Sequence, residues 1–247
     1  CTLIKAVSPE PLVTDSFLLR YDIHNLKVLY KSRYLAQKPQ FLSQCGTLDV
    51  EHLRHAVMER TYSRLPAYLK AAMELLEKKS AVRFDPMLVD TELDKAMYRQ
   101  VFANLGKSKH GALAMRYFQA KADITNVIML LRIKAMGKTV DDFAELALPG
   151  GQITLLTLRG VFSENERLAR ALRRYSAPLY QAVLAASVDT ARLPYLEKVA
   201  DDYLAGLFRS SRFDSASMEM LAHYLLQRQR EATDVRLIMA GKQNGFA

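Results

Sequence analysis

Residues 22–31 read DIHNLKVLYK, and how this stretch is read decides the fold. Asp22 and Asn25 stand three apart, so on a helix they share a side, with Leu29 one turn further on. Beside them Leu19, Ile23, Leu26 and Tyr30 recur at spacings of three and four, which is the helical period. The pattern returns twice. DITNVIMLLR begins at Asp123, 101 residues on from Asp22, and EATDVRLIMA begins at Glu231, a further 108 residues along. Asp123 and Asn126 repeat the first pair in kind. Glu231 and Asp234 keep the positions with altered groups.

The neighbourhood of each copy also repeats, in order. CGTLDVEHLRHAV (45–57) is echoed by GGQITLLTLRGVF (150–162), TYSRLPAYLKAAM (61–73) by RYSAPLYQAVLAA (174–186), and LDKAMYRQVF (93–102) by LEKVADDYLAGLF (196–208). Ordered self-similarity is the mark of a duplicated unit. We read two repeats, 17–115 and 116–224, with 1–16 and 225–247 as parts of a third, incomplete one.

The remaining segments read as helices. The spacing predicts them over 14–36 with Asp15 as N-cap, 48–60, 63–79, and 91–105 with a Thr91/Asp94 capping box. Further helices are expected over 112–136, over FAELAL behind a Thr139/Asp142 cap, and up to Tyr175 behind Ser163/Glu166. The last three fall near 178–187, 194–208 and 215–240, the final one meeting Gly241. ITLLTL (153–158) is the one apolar run rich in β-formers, and a single short run makes no sheet, so it reads as helix or loop. The fold class is all-α.

The chain has 247 residues, half of them hydrophobic, and a formal charge of +9 from 35 basic and 26 acidic side chains. That charge admits nucleic acid, an anionic lipid surface or an acidic protein as partner, or simply solvated basic helix faces. The basic residues form no repeated stripe, and Tyr62, Tyr68 and Tyr98 sit at core spacing, so nucleic acid is not expected. Two cysteines are too few for a disulfide framework. No apolar run of about 18 residues marks a spanning helix.

Catalytic chemistry finds no foothold. The Asp-x-x-Asn pairs offer two oxygens per helix, too few for a cation unless three helices converge. Glu-x-x-His pairs of the di-iron kind are absent. His52 and His55 are three apart without an acidic or cysteine companion and read as surface residues. GKSKHG (106–111) lacks the leading glycine of a phosphate loop and reads as a turn. No catalytic, cofactor or metal residue is assigned. A polar pair beside an apolar stripe suits hydrogen bonding to neighbouring helix ends while the stripe packs. Loop lysines Lys107, Lys109, Lys138 and Lys242 are candidate contacts for acidic partner groups or lipid headgroups.

YDIHNLKVLYKSRYL (21–35), DITNVIMLLRIKAMGK (123–138) and EATDVRLIMAGKQNG (231–245) together resemble the signature helices of the C subunit of prokaryotic V-type (A-type) rotary ATPases. The same family includes the d subunit of eukaryotic vacuolar ATPases. The most specific part is the set Arg236, Ile238, Gly241, Lys242, Asn244 and Gly245. The resemblance implies a non-enzymatic rotor component without cofactors, peripheral on the cytoplasmic face of a membrane. It implies three similar helical subdomains set as a funnel around a pseudo-threefold axis. Such a funnel stands on the membrane ring of ion-carrying subunits and receives the foot of the central stalk. Family members run longer at both ends, which would complete the third repeat. The alternative from the residues alone is a helical-repeat scaffold or RNA-binding module.

Overall fold

A computed structural model describes residues 2–209 and 218–245, and every described element is helical. The chain runs through α1 (Thr2–Val7), α2 (Pro11–Tyr34), α3 (Val50–Met58), α4 (Ala67–Val82), α5 (Pro86–Leu105), α6 (Ala112–Ala135) and α7 (Val140–Leu146). It continues through α8 (Leu155–Gly160), α9 (Asn165–Arg173), α10 (Ala177–Val188), a 3-10 turn (Thr190–Arg192), α11 (Leu193–Gly206) and α12 (Met218–Gln243).

Of the caps read from the sequence only the Thr139/Asp142 pair forms, and prolines or neighbouring polar residues set the other starts. α2 begins at Pro11, whose missing N–H costs nothing in a first turn, so Asp15 lies inside the helix and caps nothing. α5 likewise opens on Pro86. Its cap is Asp85, which accepts from the Met87 N–H at 2.8 Å, and Asp94 pairs instead with Lys27. The expected Ser163/Glu166 box is replaced by Glu164 at the cap, and Glu166 bonds Arg170 one turn on. Thr139 and Asp142 do form a reciprocal capping box at α7. ITLLTL resolves as helix from Leu155, capped by the Thr154 hydroxyl. The last helix passes through Gly241 to Gln243, and residues 215–217 of its expected start lie outside the described residues.

Two apolar cores hold the molecule. In the first, Ile23, Leu26, Leu29 and Tyr30 of α2 pack with Leu53 and Val57 of α3, Leu69, Met73 and Leu76 of α4, and Val89 and Leu93 of α5. In the second, Ile124, Val127, Leu130 and Leu131 of α6 pack with Leu158 of α8, Leu168 and Leu172 of α9, Leu179 and Val183 of α10, and Leu196 of α11. Each buried leucine contributes about 2 kcal/mol. The second core extends across the junction, where Phe17 of α2 meets Phe118 of α6 at 5.1 Å and Phe208 beyond α11 at 6.1 Å between ring centroids.

Three long helices run the same way. α5 is antiparallel to α2, since Lys27 reaches Asp94 and Lys31 reaches Asp90, each at 2.6 Å. The short turn after α5 reverses the chain again, so α6 runs parallel to α2, and Phe17 near the start of one meets Tyr117 near the start of the other. α12 keeps this direction, with Met218 beside Ser8 and Gln229 bonded to Arg20 and Tyr21.

Candidate functional site: a duplicated helix-to-loop clamp

Asp22 and Asn25 are fully buried on α2. Asp22 accepts from the Thr47 N–H at 2.8 Å, the Thr47 hydroxyl at 2.6 Å and the Leu48 N–H at 3.0 Å. One turn along, the Asn25 side chain both donates to the Ser43 carbonyl at 2.8 Å and accepts from the Ser43 N–H at 2.7 Å. The pair thus fastens the loop that leads into α3. Backbone groups of Ser43, Thr47 and Leu48 that packing would otherwise leave unpaired find their partners on the helix.

The second copy repeats this in register. Asp123 accepts from the Gln152 N–H at 2.8 Å and the Ile153 N–H at 3.1 Å, and Asn126 makes the same two-way bond with Leu148. Ser43 precedes Thr47 by four residues, as Leu148 precedes Gln152, and each loop then reaches a side-chain cap, Asp49 for α3 and Thr154 for α8. Asp123 has one further donor, the Tyr175 hydroxyl. The aligned loop positions match the echo between 45–57 and 150–162.

Burial decides the electrostatics. It pushes the Asp22 and Asp123 carboxyls above the ordinary carboxylate value, while the loop hydrogen bonds pull the other way. Lys5 adds a smaller downward pull on Asp22 and donates to the Gly46 carbonyl. At Tyr175, burial and the hydrogen bond to Asp123 both push the phenol upward.

In the third copy the groups are present but hold no loop among the described residues. Among the described residues Glu231 is exposed and bonds only Arg228 on its own helix, and Asp234 is exposed. Val235, Ile238 and Met239, the counterparts of Leu26, Leu29 and Tyr30, are 54%, 59% and 57% exposed where the α2 residues are at 0%. Among the described residues of α12 only Met218, Ala222 and Leu225 are buried, and Gln229 and Arg230 add polar bonds to Arg20, Tyr21 and Asp202.

The four loop lysines are exposed and form no ion pair among the described residues. They do not share a surface. Lys107 and Lys109 precede α6, Lys138 follows it, and a 24-residue helix separates these positions by roughly 36 Å. Lys242 lies in the last turn of α12, at the Lys138 end. Tyr62 and Tyr98 are buried and cannot stack on bases. Two structural features escaped the sequence reading. Arg33 bridges the Glu77 carboxylate, the Tyr62 hydroxyl and the Val57 carbonyl, and α1 adds a helix of six residues. The Arg33 bridge had no local pattern to betray it, because its partners lie 24 to 44 residues away.

Among the described residues no group of His, Cys, Asp or Glu is placed to hold a metal ion, and no helix is long and apolar enough to cross a membrane. The family model for the ATP synthase (C/AC39) subunit matches residues 1–247. The C subunit of an A-type ATP synthase from Methanosarcina barkeri is 26% identical over 244 residues, covering 94% of this chain and 66% of the relative. The C subunit of a V-type sodium ATPase from Enterococcus hirae is 24% identical over 253 residues, covering 99% of this chain and 74% of the relative. Another A-type ATP synthase C subunit, from Pyrococcus horikoshii, is 22% identical over 233 residues, covering 91% and 62%. The chain spans about two thirds of the length of most of these relatives. With a match along its whole length, and the three signature helices lying parallel, the chain belongs to the ATP synthase (C/AC39) subunit family.

Proposed function

We propose that this chain is part of a non-catalytic rotor adaptor in an A/V-type ATPase, joining the central stalk to the membrane ring and passing torque between them. The observation that carries this reading is the clamp used twice on parallel helices and offered a third time on α12. A torque-bearing adaptor needs stiff units that do not slide on one another. A buried Asp and Asn fixing a loop to each long helix supplies that stiffness without any chemistry. The relatives are named as subunits of an ATP synthase and of a sodium ATPase, which fits an assembly of this kind.

The units we assign are 17–115, 116–224, and a third formed by 1–16 with 225–247. The exposed clamp groups of α12 and its bare apolar face suit a loop-and-helix element like the ones that cover α2 and α6. Three such units around parallel axial helices would give a pseudo-threefold funnel. Lys107 and Lys109 at one end, and Lys138 and Lys242 at the other, are the proposed contacts for acidic groups of stalk or ring, or for lipid headgroups. The protein would sit peripherally at the cytoplasmic face of the membrane and need no cofactor.

The test is co-expression of this chain with the two candidate central-stalk subunits, purification at moderate salt, and light scattering for stoichiometry. A one-to-one-to-one complex is expected either with this chain or with a form extended at both ends. Failure of both forms to assemble would overturn the reading.

A further inference from the structure

One cleft gathers donor side chains, those of His55, Ser63 and Arg64, that no other described residue uses. It lies between α3 and the turn into α4, encloses about 500 Å³, and is lined by His52, His55, Ala56, Thr61, Ser63 and Arg64. The Nε2 atom of His52 is shielded from solvent and has no hydrogen-bond partner. A buried polar atom left so costs stability and asks for an explanation. No carboxylate lines the cleft. The side chains of His55, Ser63 and Arg64 make no hydrogen bond or ion pair within the described residues, although nearby arginines such as Arg54 and Arg33 do.

The wall facing α3 is also fixed in place. Arg60 adopts the left-handed conformation at φ 52, and the Thr61 N–H returns to the Ala56 carbonyl at 3.0 Å, closing the end of α3. Tyr62 then turns inward to donate to Glu77. The backbone at Ser63 and Arg64 is therefore set beside the histidines before any ligand arrives, which lowers the ordering cost of binding.

We propose that this cleft is a binding site for a phosphate-class oxyanion, with Arg64 as the charged anchor and His52, His55 and Ser63 as hydrogen-bond donors. A guanidinium matches two phosphate oxygens at once, and the imidazoles and hydroxyl supply the remaining donors. The phosphate belongs either to a free ion or to the headgroup of a phosphomonoester lipid. A metal ion on the two histidines is disfavoured by the adjacent guanidinium charge. This assignment does not depend on the rotor reading.

The experiment follows the histidine ring nitrogens of the full chain by NMR while inorganic phosphate is added, with sodium chloride at matched ionic strength as control. Saturable shifts of His52 and His55 are expected with phosphate and not with chloride. Arg64→Gln should weaken the response at least tenfold, while Lys198→Gln on α11 leaves it unchanged. Circular dichroism checks that each variant is folded. A parallel arm measures co-sedimentation with phosphatidylcholine vesicles with and without phosphatidic acid. Retention that requires phosphatidic acid and is lost in Arg64→Gln identifies the lipid as source, and saturation by phosphate alone identifies the free ion. Absence of a response in both arms overturns the proposal. So does a phosphate response that survives Arg64→Gln, or saturable zinc binding by both rings with no response to phosphate.

Discussion

Gly46 lies so close to the Asp22 carboxylate that a Cβ at position 46 would stand 2.0 Å from Oδ1. The second unit has the same fit, with a Cβ on Gly151 falling 1.9 Å from Oδ1 of Asp123. The two glycines are selected by close approach, since neither has a positive φ.

Gly46→Ala and Gly151→Ala should therefore each destabilise the protein by about 2 kcal/mol or more, because the loop must retreat from its acceptor. Gly206→Ala, where nothing stands within 4 Å, is the control and should be neutral or stabilising by about 0.5 kcal/mol. Urea denaturation measures all three. An unchanged midpoint for Gly46→Ala would refute the tight fit.

Asp22→Asn removes one acceptor oxygen and sets an amide against the Thr47 donors, at a cost of about 1–3 kcal/mol. Its pH dependence has a definite sign. Burial raises the Asp22 carboxyl above its ordinary value, so the folded state holds the proton more tightly than the unfolded chain. Stability from this group is full below the unfolded value near about pH 4. It is lost as pH rises through the higher folded value and is constant beyond. The advantage of the native chain over Asp22→Asn should shrink from pH 4 to pH 7. An advantage that grows with pH would mean that the loop hydrogen bonds outweigh burial.

The three copies should answer differently to the same truncation. Leu29→Ala and Leu130→Ala, both at fully buried sites, should cost about 2–5 kcal/mol each. Ile238→Ala, at the matching place on α12, should fall within about 0.5 kcal/mol of the parent. Repeating the thermal melts in a form extended at both ends tests the third unit directly, since Ile238→Ala becomes costly once a loop and helix cover it.

Arg33 and Glu77 form the best-shielded ion pair among the described residues, with the Arg33 guanidinium also 4.7 Å from the Tyr30 ring centre. Glu77→Gln leaves that cation without its counter-charge and should cost about 2 kcal/mol. Glu164→Gln breaks the exposed pair with Arg167 and should cost less than about 0.5 kcal/mol. Denaturant midpoints compare the two.

Much of this architecture was legible because the information is periodic. The stripe on residues 19–30 and its recurrence at 123 and 231 announce the long helices, and the Asp and Asn beside it announce a hydrogen-bonding role. The helix starts were less legible. Asp15, Thr91 and Ser163 each have the spacing of a cap, but prolines at 11 and 86 fix the backbone several residues earlier and so decide where α2 and α5 begin. Sequence likewise cannot separate Asp22 from Glu231 by burial. That difference depends on whether a loop some twenty-five residues away returns to the helix, as Thr47 does for Asp22. The donor cleft on α3 is invisible for the same reason, since Arg64 joins His52 only through the fold.

The common direction of α2, α6 and α12 has an electrical consequence. Peptide dipoles in antiparallel helices cancel, but in these three they add, each leaving about half a negative charge at its C-terminal end. The final turns carry Lys31 and Arg33, Arg132 and Lys134, and Lys242, which answer that accumulation with cations. α5 runs against them and offsets part of the sum, which leaves a net polarity along the three parallel helices. The N-terminal and C-terminal ends of α2, α6 and α12 therefore carry opposite partial charge, so a body approaching along the helix axes does not find the two ends interchangeable.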